Sequence, residues 1–381
     1  KPIAQSIAEI EKCASGFRYY AETGPAMLED RIIDLGARKA LVRWLPQGPV
    51  LAVMPWNFPF WQVVRFLGPT IMAGNVGLLK HSSLTPGCAA AIEAMVSEAG
   101  APEGLFQNLH VGSGAVADII ADDRVVAVTL TGSEGAGMKV AEAAGKALKK
   151  VVLELGGSDP FIVMPSADVQ EAAKQAVKAR LLNGGQSCIC AKRMIVHADV
   201  YDAFMETFTD GMKAARVGDP MDAASDMGPL SSVEARDDIA EQVEKAVKAG
   251  ATKLFGGEML DRPGAWFTPA VLTDIPRDAA VAKEEFFGPV AMVFKVADID
   301  EAIALANDVP FGLGSSVWTR DDGERERFVN EIEAGMTAVN QFLASDPRAP
   351  FGGVKRSGHG RELSDFGLHE FMNAKTVMLP G

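Results

Sequence analysis

Three residues of this sequence, Cys188, Glu154 and Asn57, have types and settings that suit carbonyl chemistry. Cys188 follows a glycine-rich bend in the run 183–190, Asn-Gly-Gly-Gln-Ser-Cys-Ile-Cys, where a thiol can be an exposed nucleophile. Glu154 ends an apolar strand pattern and can be a general base. Asn57, in the run 55–59, Pro-Trp-Asn-Phe-Pro, can donate a hydrogen bond to an oxyanion from a rigid loop. Each residue also has a structural alternative. The cysteine can be a small buried hydrophobe, the glutamate a salt-bridged carboxylate and the asparagine a turn residue.

A glycine-rich turn, Gly132–Gly137, follows a strand pattern and opens a helix pattern. Backbone N–H groups in the first turn of a helix can hold a phosphate, aided by the helix dipole. The run Gly-Ser-Glu-Gly-Ala-Gly departs from the dinucleotide fingerprint, and no acidic residue follows at the expected ribose position. Two interpretations therefore stay open, a nucleotide site and a turn that needs glycine only for close packing.

Short apolar runs alternate with helical patterns from residue 50 to residue 155, which predicts a parallel sheet covered on both faces. Such sheets bind ligands beyond the carboxyl ends of their strands. Polar or glycine-rich residues follow every predicted strand, so we expect one crevice there. The predicted strands are Val50–Met54, Val76–Lys80, Phe106–Val111, Val125–Leu130 and Val151–Leu155.

The alternation continues less regularly after Gly156–Pro160 and predicts a second α/β domain. Two segments fit neither half. Arg31–Trp44 reads as a hairpin and Lys375–Leu379 as a strand-like tail. Strands outside a sheet commonly pair with another chain, and the alternative is a surface hairpin with a frayed tail.

Composition and charge exclude several classes of protein. A chain of 381 residues with 48% hydrophobic residues can bury a large core. Its net charge of −13 argues against a nucleic-acid partner, because phosphate neutralisation needs clustered Lys and Arg. The longest apolar runs are too short to cross a bilayer. The 4 cysteines lack disulfide-like spacing and predict a cytoplasmic protein, and the 5 histidines form no zinc pattern, so we expect no metal.

Several motifs together resemble the aldehyde dehydrogenase superfamily in their order and approximate spacing, over essentially the whole chain. They are Pro55–Pro59, Thr131–Ser133, Glu154–Gly157, Gly185–Cys188, Glu285–Val290 and Pro350–Gly358. The resemblance implies the α/β aldehyde dehydrogenase fold. That fold has a Rossmann-like parallel-sheet cofactor domain, a second α/β catalytic domain and a small β oligomerisation element. Family members are longer at the N-terminus, so the resemblance also implies that the cofactor domain is N-terminally incomplete here.

The resemblance places the NAD(P)-binding domain at residues 1–30 and 47–156, and the catalytic domain at residues 157–360. The oligomerisation element is then formed by residues 31–46 and 361–381. Because the family uses such strands as an interface, a homodimer or homotetramer is implied.

The resemblance also gives roles to the candidate residues. Cys188 matches the nucleophile that adds to an aldehyde, Asn57 the oxyanion donor, and Glu154 the base that activates water to hydrolyse the thioester. The presence of Glu154 argues against the coenzyme-A-acylating branch, in which a thiol replaces water. The residues that match the family's cofactor site are Trp56, Lys80, Ser83, Gly132, Ser133, Glu285 and Phe287.

Within the superfamily, the runs 153–163 and 366–371 resemble bacterial succinate-semialdehyde dehydrogenases. Arg65 matches an arginine that binds the distal carboxylate of the substrate, and its alternative is a surface arginine on an amphipathic helix. Ser345 matches a second substrate contact in a late loop. The resemblance therefore implies NAD(P)-dependent oxidation of succinate semialdehyde to succinate.

One departure keeps the substrate open. Some members of the branch carry a further arginine where this chain has Leu182, so the clamp is either single or completed by Arg348. Glutarate semialdehyde and unsubstituted aliphatic aldehydes are the alternative substrates. A non-catalytic binding protein on the same fold is a third hypothesis, against which the joint presence of the three reactive residues speaks.

Two further residues bear on cofactor and regulation. NAD-specific relatives commonly carry a glutamate where this chain has Ser83, so the carboxylate that would repel a 2′-phosphate is absent and NADP is expected to be accepted. Cys190 matches a redox partner of the nucleophile in some branch members, with a packing cysteine as the alternative.

Overall fold

A computed structural model describes residues 1–36 and 38–380 of the chain. Ala37, in the predicted hairpin, and Gly381, at the end of the predicted oligomerisation element, lie outside the described residues. The helices are α1 (Ile3–Met27), α2 (Trp61–Met72), α3 (Pro86–Glu98), α4 (Val116–Ala121), α5 (Glu134–Lys146), α6 (Val169–Leu181), α7 (Tyr201–Ala214), α8 (Val233–Lys248), α9 (Ile299–Asn307), α10 (Asp322–Glu331) and α11 (Ser364–His369).

The strands complete the list of elements. They are β1 (Arg31–Asp34), β2 (Lys39–Pro46), β3 (Pro49–Met54), β4 (Val76–His81), β5 (Phe106–Asn108), β6 (Ala127–Thr131), β7 (Lys150–Glu154), β8 (Asp159–Val163), β9 (Ala191–His197), β10 (Thr252–Gly256), β11 (Ala270–Thr273), β12 (Val290–Val296), β13 (Phe311–Gly312), β14 (Gly314–Trp318), β15 (Met336–Val339), β16 (Val354–Lys355), β17 (Gly358–His359) and β18 (Met372–Leu379).

The contacts within the chain divide it into two compact units. Unit 1 comprises Lys1–Ile7, Gly156–Ala344 and Gly353–Ser357, and unit 2 comprises Ala8–Leu155, Ser345–Gly352 and Gly358–Gly381. The domain boundaries given above follow from the family resemblance and stay a prediction.

Unit 2 contains a six-stranded sheet with the order β17-β7-β6-β3-β4-β5. All neighbours are parallel except β17, which is antiparallel to β7. The parallel sheet predicted from the alternating pattern is therefore confirmed, and the carboxyl ends of its strands share one edge. The strand order reverses between β3 and β6, and such a switch point opens a crevice at that edge.

The strands of this sheet are apolar on both faces, and β3 shows why. Val50, Ala52 and Met54 pack into one core cluster, whereas Leu51 belongs to the cluster on the opposite face. Successive side chains of a strand point to opposite faces, so a strand covered on both sides needs apolar residues at every position. Full burial of one such Val or Leu side chain contributes roughly 1.5–3 kcal/mol relative to exposure.

Unit 2 also contains an antiparallel sheet with the order β1-β2-β18. The predicted hairpin and the predicted tail pair with each other, since β18 runs antiparallel to β2 from Met372 opposite Pro46 to Leu379 opposite Lys39. The tail is therefore a paired strand and not a frayed end. It forms an edge of this sheet.

Unit 1 is built on a seven-stranded sheet with the order β10-β11-β12-β9-β8-β14-β15. Its strands are parallel except β10, which is antiparallel to β11. Core clusters cover both faces, as the predicted second α/β domain requires. Within residues 1–36 and 38–380, none of the helices has the length and apolar character that a bilayer crossing needs.

Candidate active site

The turn that presents Cys188 in unit 1 has a left-handed backbone. Asn183, Gly184 and Gly185 have φ angles of 53°, 64° and 75°. A Cβ atom at Gly185 would lie 2.2 Å from the backbone oxygen of Gly288, so a side chain has no space there. The glycine-rich bend seen in the sequence is thus required by backbone geometry, and it leaves Cys188 half-buried after α6.

Arg180 joins this turn to the loop that carries Glu285 and Phe287. Its side chain is fully buried, and Nη2 donates to the backbone oxygens of Gly185 at 2.7 Å and Gly288 at 2.6 Å. A guanidinium presents its donors in a fixed fork, so it holds both carbonyls in one geometry. Nη1 donates to the backbone oxygen of Ala191 at 3.0 Å and so fixes the start of β9 as well.

Lys192 makes a second link in unit 1, between the Cys188 backbone and Glu285. Its ammonium is fully buried and donates to the backbone oxygens of Ser187 at 2.7 Å and Cys188 at 2.5 Å. Lys192 Nζ also lies 3.1 Å from Glu285 Oε1, which accepts from the backbone N–H of Gly157 at 3.1 Å. Glu285, a predicted cofactor residue, and the backbone of the predicted nucleophile are therefore connected through one ammonium.

The glycines of the Glu154–Gly157 motif are explained by the same contacts. A Cβ at Gly156 would lie 2.3 Å from Glu285 Oε2, and one at Gly157 would lie 2.9 Å from the backbone oxygen of Cys188. Side chains at either position would displace the two groups. The pair of glycines is needed for close approach within unit 1.

Two other predicted residues of unit 1 lie near this network. The ring of Phe287 is half-buried, with its centroid 6.0 Å from Lys192 Nζ. Cys190 is buried, and its thiol donates to the backbone oxygen of Leu182 at 3.6 Å. This setting accommodates a packing cysteine, and a redox role for Cys190 stays a prediction.

Glu154 ends β7 in unit 2, and its carboxylate is 2% exposed. Among the described residues, neither carboxylate oxygen of Glu154 has a hydrogen-bond partner, and Glu154 forms no ion pair. Burial raises the pKa of Glu154 well above its ordinary value, and the nearby charge of Glu362 raises it further, whereas Arg65 and Arg361 lower it. The carboxylate therefore differs from the salt-bridged structural residue that was its alternative.

Arg65 is 2% exposed, so it is not a surface arginine. Its Nε contacts Glu362 Oε2, and Nη2 lies 3.4 Å from Thr131 Oγ1. The guanidinium also lies 4.1 Å from the centroid of the Phe351 ring. Two of its three nitrogens are thus engaged inside unit 2.

Glu362 is a buried carboxylate that the sequence pattern did not reveal. It is 4% exposed, and Oε1 accepts from Thr129 Oγ1 at 3.4 Å. Its backbone pairs with Phe351, which aligns the two late segments of unit 2. Burial raises the pKa of Glu362, and Arg65 opposes that rise. Glu362 is identified as part of the site by its contacts with Arg65 and Thr129, which are distant in the chain and cannot be read from a local pattern.

Asn57 and Ser345 lie near the start of α2. Asn57 is 6% exposed, and its Oδ1 accepts from the backbone N–H of Phe58 at 3.1 Å, which fixes the orientation of the amide. Trp61 Nε1 donates to Ser345 Oγ at 3.1 Å. The neighbouring Trp56 is half-buried. Unit 2 therefore brings Ser345 to the loop and helix that carry Asn57 and Arg65.

The predicted cofactor residues of unit 2 follow the ends of β4 and β6. Ser133 caps the 13-residue helix α5, since its side chain accepts from the backbone N–H of Ala136 at 3.4 Å. The backbone N–H of Gly132 donates to the backbone oxygen of Glu154 at 3.0 Å. Lys80 is half-buried, and Ser83 is exposed in the turn after β4.

These residues fit a phosphorylated dinucleotide. The N-terminus of α5 lies at the switch point of the sheet, where helix amides favour an anion. Within residues 1–36 and 38–380, Lys80 forms no hydrogen bond or ion pair, so its ammonium is available to a phosphate. No group of three metal-ligating side chains is found in those same ranges.

Comparison with known proteins gives a consistent result. The sequence model described as Aldehyde dehydrogenase family matches residues 1–377. Succinate-semialdehyde dehydrogenase [NADP(+)] of Mycolicibacterium paratuberculosis (strain ATCC BAA-968 / K-10) is 55% identical over 100% of this chain and 81% of its own length. Succinate-semialdehyde dehydrogenase [NADP(+)] 1 of Mycobacterium tuberculosis (strain ATCC 25618 / H37Rv) is also 55% identical, over 100% of this chain and 84% of its own.

Solved structures agree with the fold described above. Succinic semialdehyde dehydrogenase from Streptococcus pyogenes, in complex with NADP+, superimposes with a TM-score of 0.96 at 40% identity, covering 98% of this chain and 82% of that one. Succinate-semialdehyde dehydrogenase from Burkholderia pseudomallei gives 0.96 at 34% identity, covering 100% and 80%. The aldehyde dehydrogenase fold expected from the motifs is confirmed, and the chain belongs to the aldehyde dehydrogenase family.

Proposed function

We propose that this protein oxidises succinate semialdehyde to succinate with NADP. The observation that carries the proposal is the 55% identity, over the whole chain, to mycobacterial enzymes named succinate-semialdehyde dehydrogenase [NADP(+)]. The charge of the buried Arg65 supports a carboxylated substrate, although its Nε and Nη2 already contact Glu362 and Thr131.

The first half of the proposed reaction forms a thioester on Cys188. Its thiolate adds to the aldehyde carbon, and the resulting alkoxide accepts hydrogen bonds from the Asn57 amide and the Cys188 backbone N–H. The alkoxide then reforms the carbonyl as the carbon loses a hydride. NADP, when bound, supplies the acceptor for that hydride. The substrate carbon is oxidised by two electrons and stays bonded to sulfur.

The second half releases the product by hydrolysis. Glu154 takes a proton from water, the oxygen attacks the thioester, and the C–S bond breaks to give succinate and the Cys188 thiolate. A raised pKa makes the carboxylate a stronger base, at the cost of a smaller ionised fraction at neutral pH. Arg65 and Arg361 counter part of that cost because their charges stabilise the ionised form.

The cofactor residues are assigned by type and position. The α5 N-terminus with Gly132 and Ser133 suits the pyrophosphate, and the Lys80 ammonium with Ser83 suits an adenosine ribose carrying a 2′-phosphate. The family resemblance supports Trp56, Glu285 and Phe287 as further cofactor contacts.

We further propose that the chain self-associates as a homodimer or homotetramer and works in the cytoplasm. The three-stranded sheet supports the first point, because β18 forms its edge and exposes Met378 at 58% and Leu379 at 40%. The cysteine content supports the second.

A steady-state survey tests the function. NADPH or NADH formation is followed with succinate semialdehyde, glutarate semialdehyde and butanal, each with NADP and with NAD. We expect the highest kcat/KM for succinate semialdehyde with NADP. Cys188→Ser is expected to abolish it, whereas the matched control Cys88→Ser, on α3, retains it. A higher kcat/KM for either other aldehyde would replace the proposed substrate, and inactivity toward all three would contradict the function.

The carboxylate pair predicts a pH effect. In Glu362→Gln the charge that raises the Glu154 pKa is gone, while Arg65 and Arg361 still lower it, so the Glu154 pKa must fall. Because the base acts when ionised, the acid limb of the hydrolysis rate is expected to move to lower pH. Rapid mixing measures this as the pH dependence of the steady phase that follows the first turnover. Glu142→Gln, an exposed control in unit 2, leaves the limb in place. An unchanged limb in Glu362→Gln would refute the proposed coupling.

Residue 83 predicts cofactor choice. Ser83→Glu places a carboxylate beside the proposed 2′-phosphate, so kcat/KM for NADP is expected to fall about tenfold or more relative to NAD, equivalent to ~1.4 kcal/mol. Steady-state rates with both cofactors measure the ratio. Ser97→Glu, exposed near the end of α3, adds the same charge elsewhere and is the control. If both variants change the ratio equally, Ser83 has no specific role.

The β18 edge predicts assembly. Light scattering of the purified chain is expected to give a multiple of the 40.4 kDa protomer mass. Met378→Asp puts a charge on the exposed edge strand and is expected to lower that mass. Met221→Asp, at a residue of unit 1 that is 70% exposed, is the control. A monomeric wild-type chain would rule the proposal out.

A further inference from the structure

Lys12, on the part of α1 that belongs to unit 2, is a half-buried cation that the sequence motifs do not single out. We propose that Lys12, together with the hydroxyl group of Ser345, binds the distal carboxylate of the substrate and so determines the preference for carboxylated aldehydes. This inference rests on the proposed function and assigns its substrate specificity to a residue outside the motifs.

The hydrogen bonding around Ser345 favours a bound carboxylate. Lys12 Nζ donates to Ser345 Oγ at 2.7 Å, and Trp61 Nε1 donates to the same oxygen at 3.1 Å. A serine hydroxyl has two acceptor lone pairs and one donor hydrogen. Both lone pairs are therefore used, and the hydrogen must be donated to a third group. The ammonium and the hydroxyl are then two adjacent donors, which is the arrangement that a carboxylate needs.

The carboxylates near Lys12 have other hydrogen-bond partners. Asp346 accepts from Arg348 Nε at 2.8 Å and Nη2 at 2.7 Å, and this pairing lowers the pKa of Asp346 to about 2. Glu9 Oε1 accepts from the first backbone N–H groups of α2, those of Phe60 at 2.9 Å and Trp61 at 3.0 Å. Among the described residues Lys12 forms no ion pair, although the charge of Asp346 acts on it and its ammonium lies 4.6 Å from the centroid of the Trp61 ring. A carboxylate bound here would be its direct ion-pair partner.

Two arginines were candidates for the carboxylate clamp. Arg348 pairs with Asp346, and its side chain is 75% exposed, which suits a buried carboxylate less well. Arg65 already contacts Glu362 and Thr131 through Nε and Nη2. Lys12 is a third cation of unit 2, and it forms no ion pair among the described residues.

The electrostatics around Lys12 also favour a bound anion. Burial lowers the pKa of Lys12 to about 8, and the positive charge of Arg65 lowers it further. Asp346 in the late loop and Cys13 and Glu9 on α1 act in the opposite direction. Two partly desolvated cations that repel each other are stabilised by an anion bound beside both of them. A substrate carboxylate would supply that anion.

The test compares succinate semialdehyde with butanal, which has the same chain length without the carboxylate. In Lys12→Met the ratio of kcat/KM for the two aldehydes is expected to fall about 10- to 100-fold, the range for a hydrogen bond to a charged group. The change is expected in KM for succinate semialdehyde more than in kcat. Lys12→Arg keeps the charge and is expected to restore part of the ratio. Lys146→Met, at an exposed lysine of unit 2, is the control.

A pH series gives an independent readout. Since Lys12 loses its charge above about pH 8, the wild-type ratio of the two kcat/KM values is expected to fall there, and Lys12→Met is expected to lack that fall. Effects of pH on the nucleophile cancel in the ratio. A wild-type preference for succinate semialdehyde that Lys12→Met keeps would overturn this inference alone. A wild-type ratio near one would overturn the proposed substrate and this inference with it.

Discussion

The removal of charged side chains from water is the constraint that organises both units. A buried ion is stable only when opposite charges or several hydrogen bonds replace its hydration. In unit 1 the cations meet this requirement with backbone oxygens. Arg193 donates to those of Ser158, Leu305 and Ala306 at 2.8, 2.7 and 2.8 Å, and Arg180 serves the nucleophile turn in the same way. These arginines therefore fix the geometry of the backbone as well as compensate their own burial.

In unit 2 one buried carboxylate lacks such compensation, and it belongs to Glu154, the residue proposed as the base. Both oxygens of Glu154 are buried without a hydrogen bond in the ranges that the structure describes, while nearby Glu362 is paired with Arg65. An unsatisfied carboxylate is destabilising where it only supports the fold. At a reactive position the same lack of partners raises basicity and leaves neither oxygen committed to a hydrogen-bond donor among the described residues. The charge of Glu362 raises the pKa of Glu154, and the charge of Arg65, which contacts Glu362, lowers it.

Glycines in this chain are required mainly by close approach. The Gly156–Gly157 pair makes room for Glu285 and for the Cys188 carbonyl, and Gly185 makes room for Gly288. The turn at Gly132 differs in its position, since it precedes the capped N-terminus of α5 at the switch point of the sheet, where helix amides favour an anion. The run Gly132–Gly137 also contains a packing glycine, because a Cβ at Gly137 would lie 2.7 Å from Leu155 Cδ2, whereas one at Gly135 would meet nothing within 4 Å. Phosphate binding at this turn stays a prediction.

The sequence by itself determined the elements with a strong local period. The strand predicted as Val50–Met54 differs from β3 by one residue at its start, and the strand predicted as Val76–Lys80 differs from β4 by one residue at its end. The run predicted as Phe106–Val111 was too long, since β5 ends at Asn108 and a turn joins Leu109 to Val111. The 25-residue helix α1 was not singled out. Motif order was enough to identify the family and the proposed nucleophile, base and oxyanion donor.

The tertiary structure alone decided which charges meet. Lys12 and Ser345 are separated by 333 positions in the chain, and Arg65 meets Glu362 across a similar interval. Burial, and with it the direction of each pKa shift, also depends on neighbours contributed by several elements. Local periodicity records which face of an element is apolar, because that depends on residues a few positions apart. Pairing of polar side chains depends on how distant elements pack, and no short-range pattern encodes it.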